Sequence, residues 1–230
     1  KNIYYLIAGE SSGDLHGSHL IKAIKRGDPS GVFFGIGGEK MISAGLSSFI
    51  PLKYLSVMGF VEVFKKLFFF LKLQKNILLD IGVKKPDKII LIDYPGFNLR
   101  LAKKIKQRSD ITVVYYISPQ FWAWKEKRIK YVKEFVDEMV VFFPFEKVWY
   151  AKRGVDVVYF GHPLTELYNN RLVENNLNKN INKFNIALFL GSRKQEVLKH
   201  VSLFKKLVFA LNCYFDDLFF TVKLAPEISK

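Results

Sequence analysis

The 230-residue chain is half apolar and 16% aromatic, enough for a substantial core and incompatible with wholesale disorder. Its 36 Lys and Arg against 21 Asp and Glu give +15, favouring anionic partners (nucleic acid, an acidic membrane surface or phosphorylated substrates), although lysines spread along the whole chain also fit solvated faces. One cysteine, Cys213, excludes an internal disulfide framework, no apolar run approaches the roughly 18 residues of a membrane span, and "NIYYLIAGE" lacks a signal-peptide pattern, so a soluble or peripheral cytosolic protein is expected.

The first predicted strand, "IYYLIAG", passes through "AGESSGDLHG" into a helix. Gly9, Gly13 and Gly17 permit a tight turn and the close approach of a ligand, and Ser12 or Asp14 is placed to cap the helix, whose amino end favours anions. A plain strand–helix turn accounts for the segment equally well. It is not G-x-G-x-x-G, and the second strand ends "GIGGEK" without the acid that would hold a dinucleotide ribose, so a nicotinamide cofactor is disfavoured. His16 and His19 lie three apart, but His162, His200 and Cys213 offer no third ligand at a suitable spacing, and a metal pair is discarded.

"LSVMGFVEVFKKLFFFLKLQKNILL" has helical apolar spacing through Phe60, Phe64, Leu67, Phe68, Leu71 and Leu78. Phe69, Phe70 and Leu73 widen the stripe, and Lys65, Lys66, Lys72 and Lys75 ring it. Such a helix either lies in an anionic membrane surface and grips acyl chains or packs against a sheet; the surplus aromatics favour lipid.

In "KIILIDYPGFNLRLAKKIK" the run Ile89–Ile92 reads as a strand buried on both faces. Pro95 and Gly96 break it, and Asn98 is placed to cap the following helix. Asp93 then stands at the carboxyl end of a central strand, where open α/β sheets bind ligands. Taken alone, the segment favours the plainer reading of an Asp that caps its loop.

"ITVVYYIS", "EMVVFFPF" and "VDVVYFG" complete six strands that alternate with basic helices, the pattern of right-handed βαβ units and a mostly parallel sheet. Two tryptophans follow the fourth strand in "SPQFWAWK", making either a stacking wall or core, and His162 follows the sixth in "FGHPL". Residues 169–185, rich in Asn and Lys, read as a linker between a domain over 1–168 and a new β-α-β unit over 186–230. In that unit "FLGSRKQEV" sets Ser192 and Arg193 at a helix start, a phosphate clamp by pattern. These strand ends converge on one crevice.

"AGESSGDLHG", "GIGGEKM", "MGFVEV", "DYPGFNLRLA", "YYISPQFWAWK", "FPFEK", "FGHPL" and "GSRKQEV" together resemble, in order and spacing, the lipid-A-disaccharide synthase family of two-Rossmann-domain (GT-B) glycosyltransferases. The resemblance implies an α/β fold: a Rossmann-like acceptor domain followed by part of a second, donor domain. It implies transfer of 2,3-diacylglucosamine from UDP-2,3-diacylglucosamine to 2,3-diacylglucosamine 1-phosphate. The products are lipid A disaccharide 1-phosphate and UDP, formed without metal or cofactor at the cytosolic face of the inner membrane of Gram-negative bacteria. Asp93 matches the family's essential aspartate, the base for the acceptor hydroxyl; Arg193 matches its essential arginine and, with Ser192 and Glu196, serves the donor phosphates. Glu10, Ser12, Asp14, Asn98, Gln120, Trp124 and His162 match acceptor and cleft residues. Phe64, Leu67, Phe68, Phe69 and Leu71 fit acyl-chain and membrane contact, +15 suits the anionic membrane surface, and a homodimer is one admissible assembly. No nucleic-acid-binding module is recognised.

Two departures stand out. Leu190 replaces the family's usual Pro before Gly-Ser-Arg, and the family's remaining donor segment, with its Ser-Gly-Thr and Glu, has no counterpart before Lys230. The competing expectations are a fragment that binds lipid or acceptor without turnover, and another sugar-nucleotide enzyme of the same architecture.

Overall fold

The computed structural model describes residues 1–51, 63–165, 184–191 and 194–224, apart from the side chains of 49, 51, 63–67, 194 and 195. The chain divides into two compact units, Lys1–Arg171 and Leu172–Lys230.

The first unit is an α/β Rossmann-like domain with a seven-stranded sheet in the order β3-β2-β1-β4-β5-β6-β7. The strands are β1 (Ile3–Ala8), β2 (Val32–Gly37), β3 (Leu46–Pro51), β4 (Lys88–Ile92), β5 (Thr112–Tyr116), β6 (Glu138–Val141) and β7 (Val158–Tyr159), and every pairing is parallel. The helices are α1 (Ser11–Gly27), α2 (Glu39–Ala44), α3 (Val63–Lys84), α4 (Pro95–Lys106), α5 (Ile129–Phe135) and α6 (Pro144–Ala151).

Strand β3 is absent from the six strands expected. Its sequence, "LSSFIP", carries two serines where the other strands carry apolar residues, and as an edge strand it needs only one hydrogen-bonded neighbour. Gly45, at φ 110°, makes the left-handed turn that closes α2 and starts it.

The central strands β1 and β4 are buried on both faces, and their side chains alternate between two cores. Tyr5, Ile7, Ile89 and Leu91 point to the face covered by Leu73, Ile77 and Ile81 of α3, Phe97, Leu101 and Ile105 of α4 and Val132 of α5. Leu6, Ala8, Ile90 and Ile92 point to the opposite face, with Ile21 of α1 and Met41 of α2. Close packing there depends on Gly17: a Cβ at that position would lie 2.6 Å from the Met41 Sδ and 2.9 Å from Ile92 Cδ1. The buried stripe of α3 runs 73-77-81; of the apolar residues predicted for this helix, Leu73 is in the core, Phe70 and Leu78 pack against it half-buried, and Phe68 and Leu71 face outward.

In the second unit β8 (Phe184–Phe189) pairs in parallel with β9 (Leu218–Lys223) across helix α7 (Lys194–Tyr214), the expected β-α-β order.

Candidate active site

The chain runs outward from β1 in one direction and from β4 in the other, so the strand order reverses between them. A crevice opens outside the carboxyl ends at such a switch point. The register pairs Ala8 with Ile92 and Ile92 with Tyr116. Gly9–Glu10, Asp93–Tyr94 and Ile117–Ser118 therefore leave the sheet side by side.

Backbone strain concentrates at these ends. Asp93 (φ 46°), Tyr94 (φ 51°) and Ile117 (φ 73°) are all left-handed without being glycine. Each such residue costs on the order of 1–3 kcal/mol and persists only where its surroundings over-determine it. At Asp93 the surroundings are explicit. Its N–H donates to the Tyr116 carbonyl at 3.0 Å, extending the parallel ladder. Its own carbonyl accepts from the Tyr115 hydroxyl at 2.7 Å and from the Asn98 Nδ2 at 2.7 Å. Asn98 Nδ2 also lies 3.3 Å from the Ile92 carbonyl. The Asn98 cap is thus corrected: Tyr94 holds the N-cap position of α4 without a side-chain cap, while Asn98, inside the helix and fully buried, braces the elbow from below. Asn98 Oδ1 is buried with no hydrogen-bond partner.

The Tyr94 ring lies over Gly9, where a Cβ would approach it to 2.4 Å. Only a glycine lets the β1 and β4 ends meet this closely. Burial pushes the Asp93 carboxyl above the usual carboxylate range, the Glu10 charge pushes it further, and a backbone hydrogen bond from Tyr94 partly opposes both. A carboxylate raised in this way is a better proton acceptor near neutral pH.

The other first-loop residues separate. Glu10 is the N-cap residue of α1 without a side-chain cap, and Ser12 is exposed. Asp14, expected as a cap of its own helix or a cleft residue, is buried and turned toward α2. It accepts the N–H groups of Gly38 (2.8 Å), Lys40 (3.2 Å) and Met41 (3.0 Å). Asp14 thereby satisfies the amino end of a neighbouring helix.

Beyond β5, Phe121 enters the core, Gln120 is exposed and Trp124 is 63% exposed, with Lys125 Nζ 4.3 Å over its ring. Trp122 packs edge-on against Phe145 at 5.1 Å. Beneath them the Ser118 and Tyr150 hydroxyls are hydrogen-bonded at 2.8 Å, and burial pushes the Tyr150 phenol up to about 12.

His162 follows β7. Its ring lies 5.1 Å from Phe142 and 6.1 Å from His16, and its Nδ1 accepts the Leu164 N–H at 3.2 Å. A neutral His162 therefore carries its proton on Nε2. His16, dismissed with the metal pair, is brought to this edge by α1. Burial, then His162 and His19, lower its pKa, and its buried Nδ1 has no partner. The His16–His19 spacing speaks only to a metal pair; the signal for this placement is that His16 lies on the first helix after a switch-point strand.

On α3, Phe68 is 76%, Leu71 47% and Phe69 37% exposed; the Phe64 and Leu67 side chains lie outside the described residues. Ser192 and Arg193 also lie outside the described residues. Beside them, Gly191 takes φ 116° and Glu196 is half-buried, its carboxylate 2.8 Å from where a Cβ on Gly191 would stand.

A family model described as lipid-A-disaccharide synthetase matches residues 4–230. The chain is 39% identical to lipid-A-disaccharide synthase of Trichlorobacter lovleyi over 97% of this chain and 59% of that protein. Against the synthase of Coxiella burnetii (strain Dugway 5J108-111) it is 41% identical over 84% of this chain and 52% of that protein, and against that of Gluconobacter oxydans 36% over 99% and 55%. The chain thus spans between 52% and 59% of the length of these relatives.

Proposed function

Because the chain belongs to the lipid-A-disaccharide synthase family, we propose that it serves an inverting glycosyl transfer in which Asp93 is the base. The donor is UDP-2,3-diacylglucosamine and the acceptor 2,3-diacylglucosamine 1-phosphate. Asp93 takes the proton of the acceptor hydroxyl as that oxygen attacks the anomeric carbon. The bond from this carbon to the UDP phosphate oxygen breaks, and UDP leaves with the electron pair. The single observation carrying this reading is the Asp93 carboxylate at the switch point, held on a strained, doubly braced elbow with its pKa raised.

The leaving diphosphate needs positive charge and N–H donors, a role for Arg193 with Ser192, which precede α7 in sequence, and with Glu196 of its first turn. No metal is needed in this scheme. Glu10, Gln120, Trp124 and His162 contact the acceptor. Asn98 acts through Asp93 as a positioning residue, whereas Asp14 serves the fold by holding the 38–41 turn. The outward Phe68, Phe69 and Leu71, with exposed Lys72 and Lys75, meet the anionic cytosolic face of an inner membrane as a peripheral contact. No described helix is long and apolar enough to cross a membrane.

The test is disaccharide 1-phosphate formation from the two acylated substrates by the wild-type protein and Asp93→Asn. Product with the wild type and its loss with Asp93→Asn are expected; equal turnover removes Asp93 from the role of base. A second reading, in which these residues bind the acylated acceptor without turnover, is recognised by acceptor binding with no UDP released.

A further inference from the structure

A cavity of about 480 Å³ opens between α3 and α4, beginning at Tyr94 and Gly96 on the catalytic elbow and ending at Gln107. Its size falls in the range of small-molecule sites. Eleven residues of helical rise from Gly96 to Gln107 give it a length of roughly 16 Å, close to one leaflet of a bilayer's hydrocarbon core. The wall is aromatic: Phe97 stands 5.6 Å from Phe70 and 6.0 Å from Tyr94, centroid to centroid. Arg100, Lys103 and Lys104 line it as well. Lys104 is committed, since its Nζ donates to the buried Gln74 amide oxygen at 2.7 Å; Lys103 Nζ lies 5.7 Å over the Phe135 ring, and the described residues show no ion pair for it or for Arg100.

An apolar trough about one acyl chain long, bordered by cations and beginning at Tyr94, the residue that follows Asp93, is complementary to an anionic amphiphile. We propose that this groove holds one acyl chain of the acylated sugar phosphate, with Arg100 and Lys103 meeting its phosphate. The inference rests on the glycosyl-transfer reading for the identity of the ligand. The groove adjoins the outward α3 face, sharing Leu71 with it, and differs from that membrane contact because it orders a single chain relative to Asp93 instead of adsorbing the protein to a surface. A substrate chain seated there would fix the sugar at the elbow, converting chain binding into orientation.

Gly96 supplies a clean probe. A Cβ there meets nothing within 4 Å, so the position accepts a side chain; Gly96→Phe is expected to narrow the groove mouth, and replacing a helical glycine favours folding. Binding of dodecyl phosphate below its micelle concentration, measured by calorimetry, should weaken by about tenfold or more in Gly96→Phe and in Arg100→Glu/Lys103→Glu. Thermal melting of each variant should not fall below the wild type. Dodecyl maltoside and glucose 1-phosphate, each lacking one half of the ligand, should bind at least about tenfold more weakly than dodecyl phosphate.

Unchanged dodecyl phosphate affinity in Gly96→Phe, or equal affinity for dodecyl maltoside, overturns the proposal. Displacement of dodecyl phosphate by phosphatidylglycerol as efficient as by diacylglucosamine 1-phosphate overturns the assignment to substrate and makes the groove a phospholipid site. These readouts need no turnover. A failed Asp93→Asn experiment therefore leaves the groove standing, and a failed binding experiment leaves the base standing.

Discussion

The Tyr115 hydroxyl, fully buried on β5, donates to the backbone carbonyl of Asp93 on β4 at 2.7 Å. A side chain of one strand thus holds the last peptide of its neighbour, at the residue where the chain turns left-handed. Asn98 contributes the second donor to the same oxygen. With Tyr115→Phe the carbonyl keeps that partner, so stability should fall by only about 1 kcal/mol in urea denaturation. The function-specific readout is kinetic: kcat should fall with KM nearly unchanged, because the carboxylate loses its aim and the acceptor contacts remain. A KM effect alone would make the bond merely structural.

Asp93→Asn should reduce turnover by about a hundred- to ten-thousand-fold, the span of general-base contributions, while increasing stability at neutral pH. Burial and Glu10 raise the folded carboxyl pKa above its unfolded value, so the folded chain holds the Asp93 proton more tightly. That contribution is fully present below the unfolded pKa and is lost as pH rises through the folded one. The variant lacks this loss. Its advantage in melting temperature should appear as pH rises through the window and vanish toward acid; an advantage independent of pH would contradict the raised pKa.

Glu10→Gln should move the acid limb of the kcat/KM profile to lower pH. Removing a negative neighbour makes the Asp93 carboxylate easier to form, leaving burial as the remaining cause of its elevation. The readout is the position of the limb, whatever happens to the absolute rate. A limb that stays in place would mean the two carboxylates do not feel each other.

Asp14→Ala should destabilise without a matching specific loss of acceptor affinity. It leaves the part-buried N–H groups of Gly38 and Lys40 and the buried one of Met41 without their carboxylate. Leaving buried donors unsatisfied costs about 1–3 kcal/mol per group, and partial relaxation of α2 should hold the total toward the lower part of the sum. Denaturant unfolding measures it.

Phe68→Ser with Leu71→Ser should weaken sedimentation with anionic phospholipid vesicles while leaving the melting temperature within a few degrees, since both side chains face outward. The buried Ile77→Ala makes the control: it should cost about 2–5 kcal/mol of stability and leave vesicle binding of the folded protein intact.

Much of this molecule is readable along the chain. A short, mostly β-branched run such as Ile89–Ile92, ended by Pro95 and Gly96, reads as a strand covered on both faces, because alternating side chains leave no side for water. Their alternation with helices requires a parallel sheet, which sets Asp93 at a carboxyl end before any coordinate is known. Local order does not reveal which strands become neighbours. The pairing of β4 with both β1 and β5 brings Glu10 and Tyr115 to Asp93 across about eighty and twenty residues of sequence, respectively. Asn98 and Asp14 illustrate the same limit: each reads as a helix cap because capping is a local rule, yet the side-chain hydrogen bonds each makes go to backbone outside its own helix. The serine-bearing β3 and the outward turn of Phe68 and Leu71 follow from it too. Burial is a property of packed neighbours, and periodicity reports a face without naming what covers it.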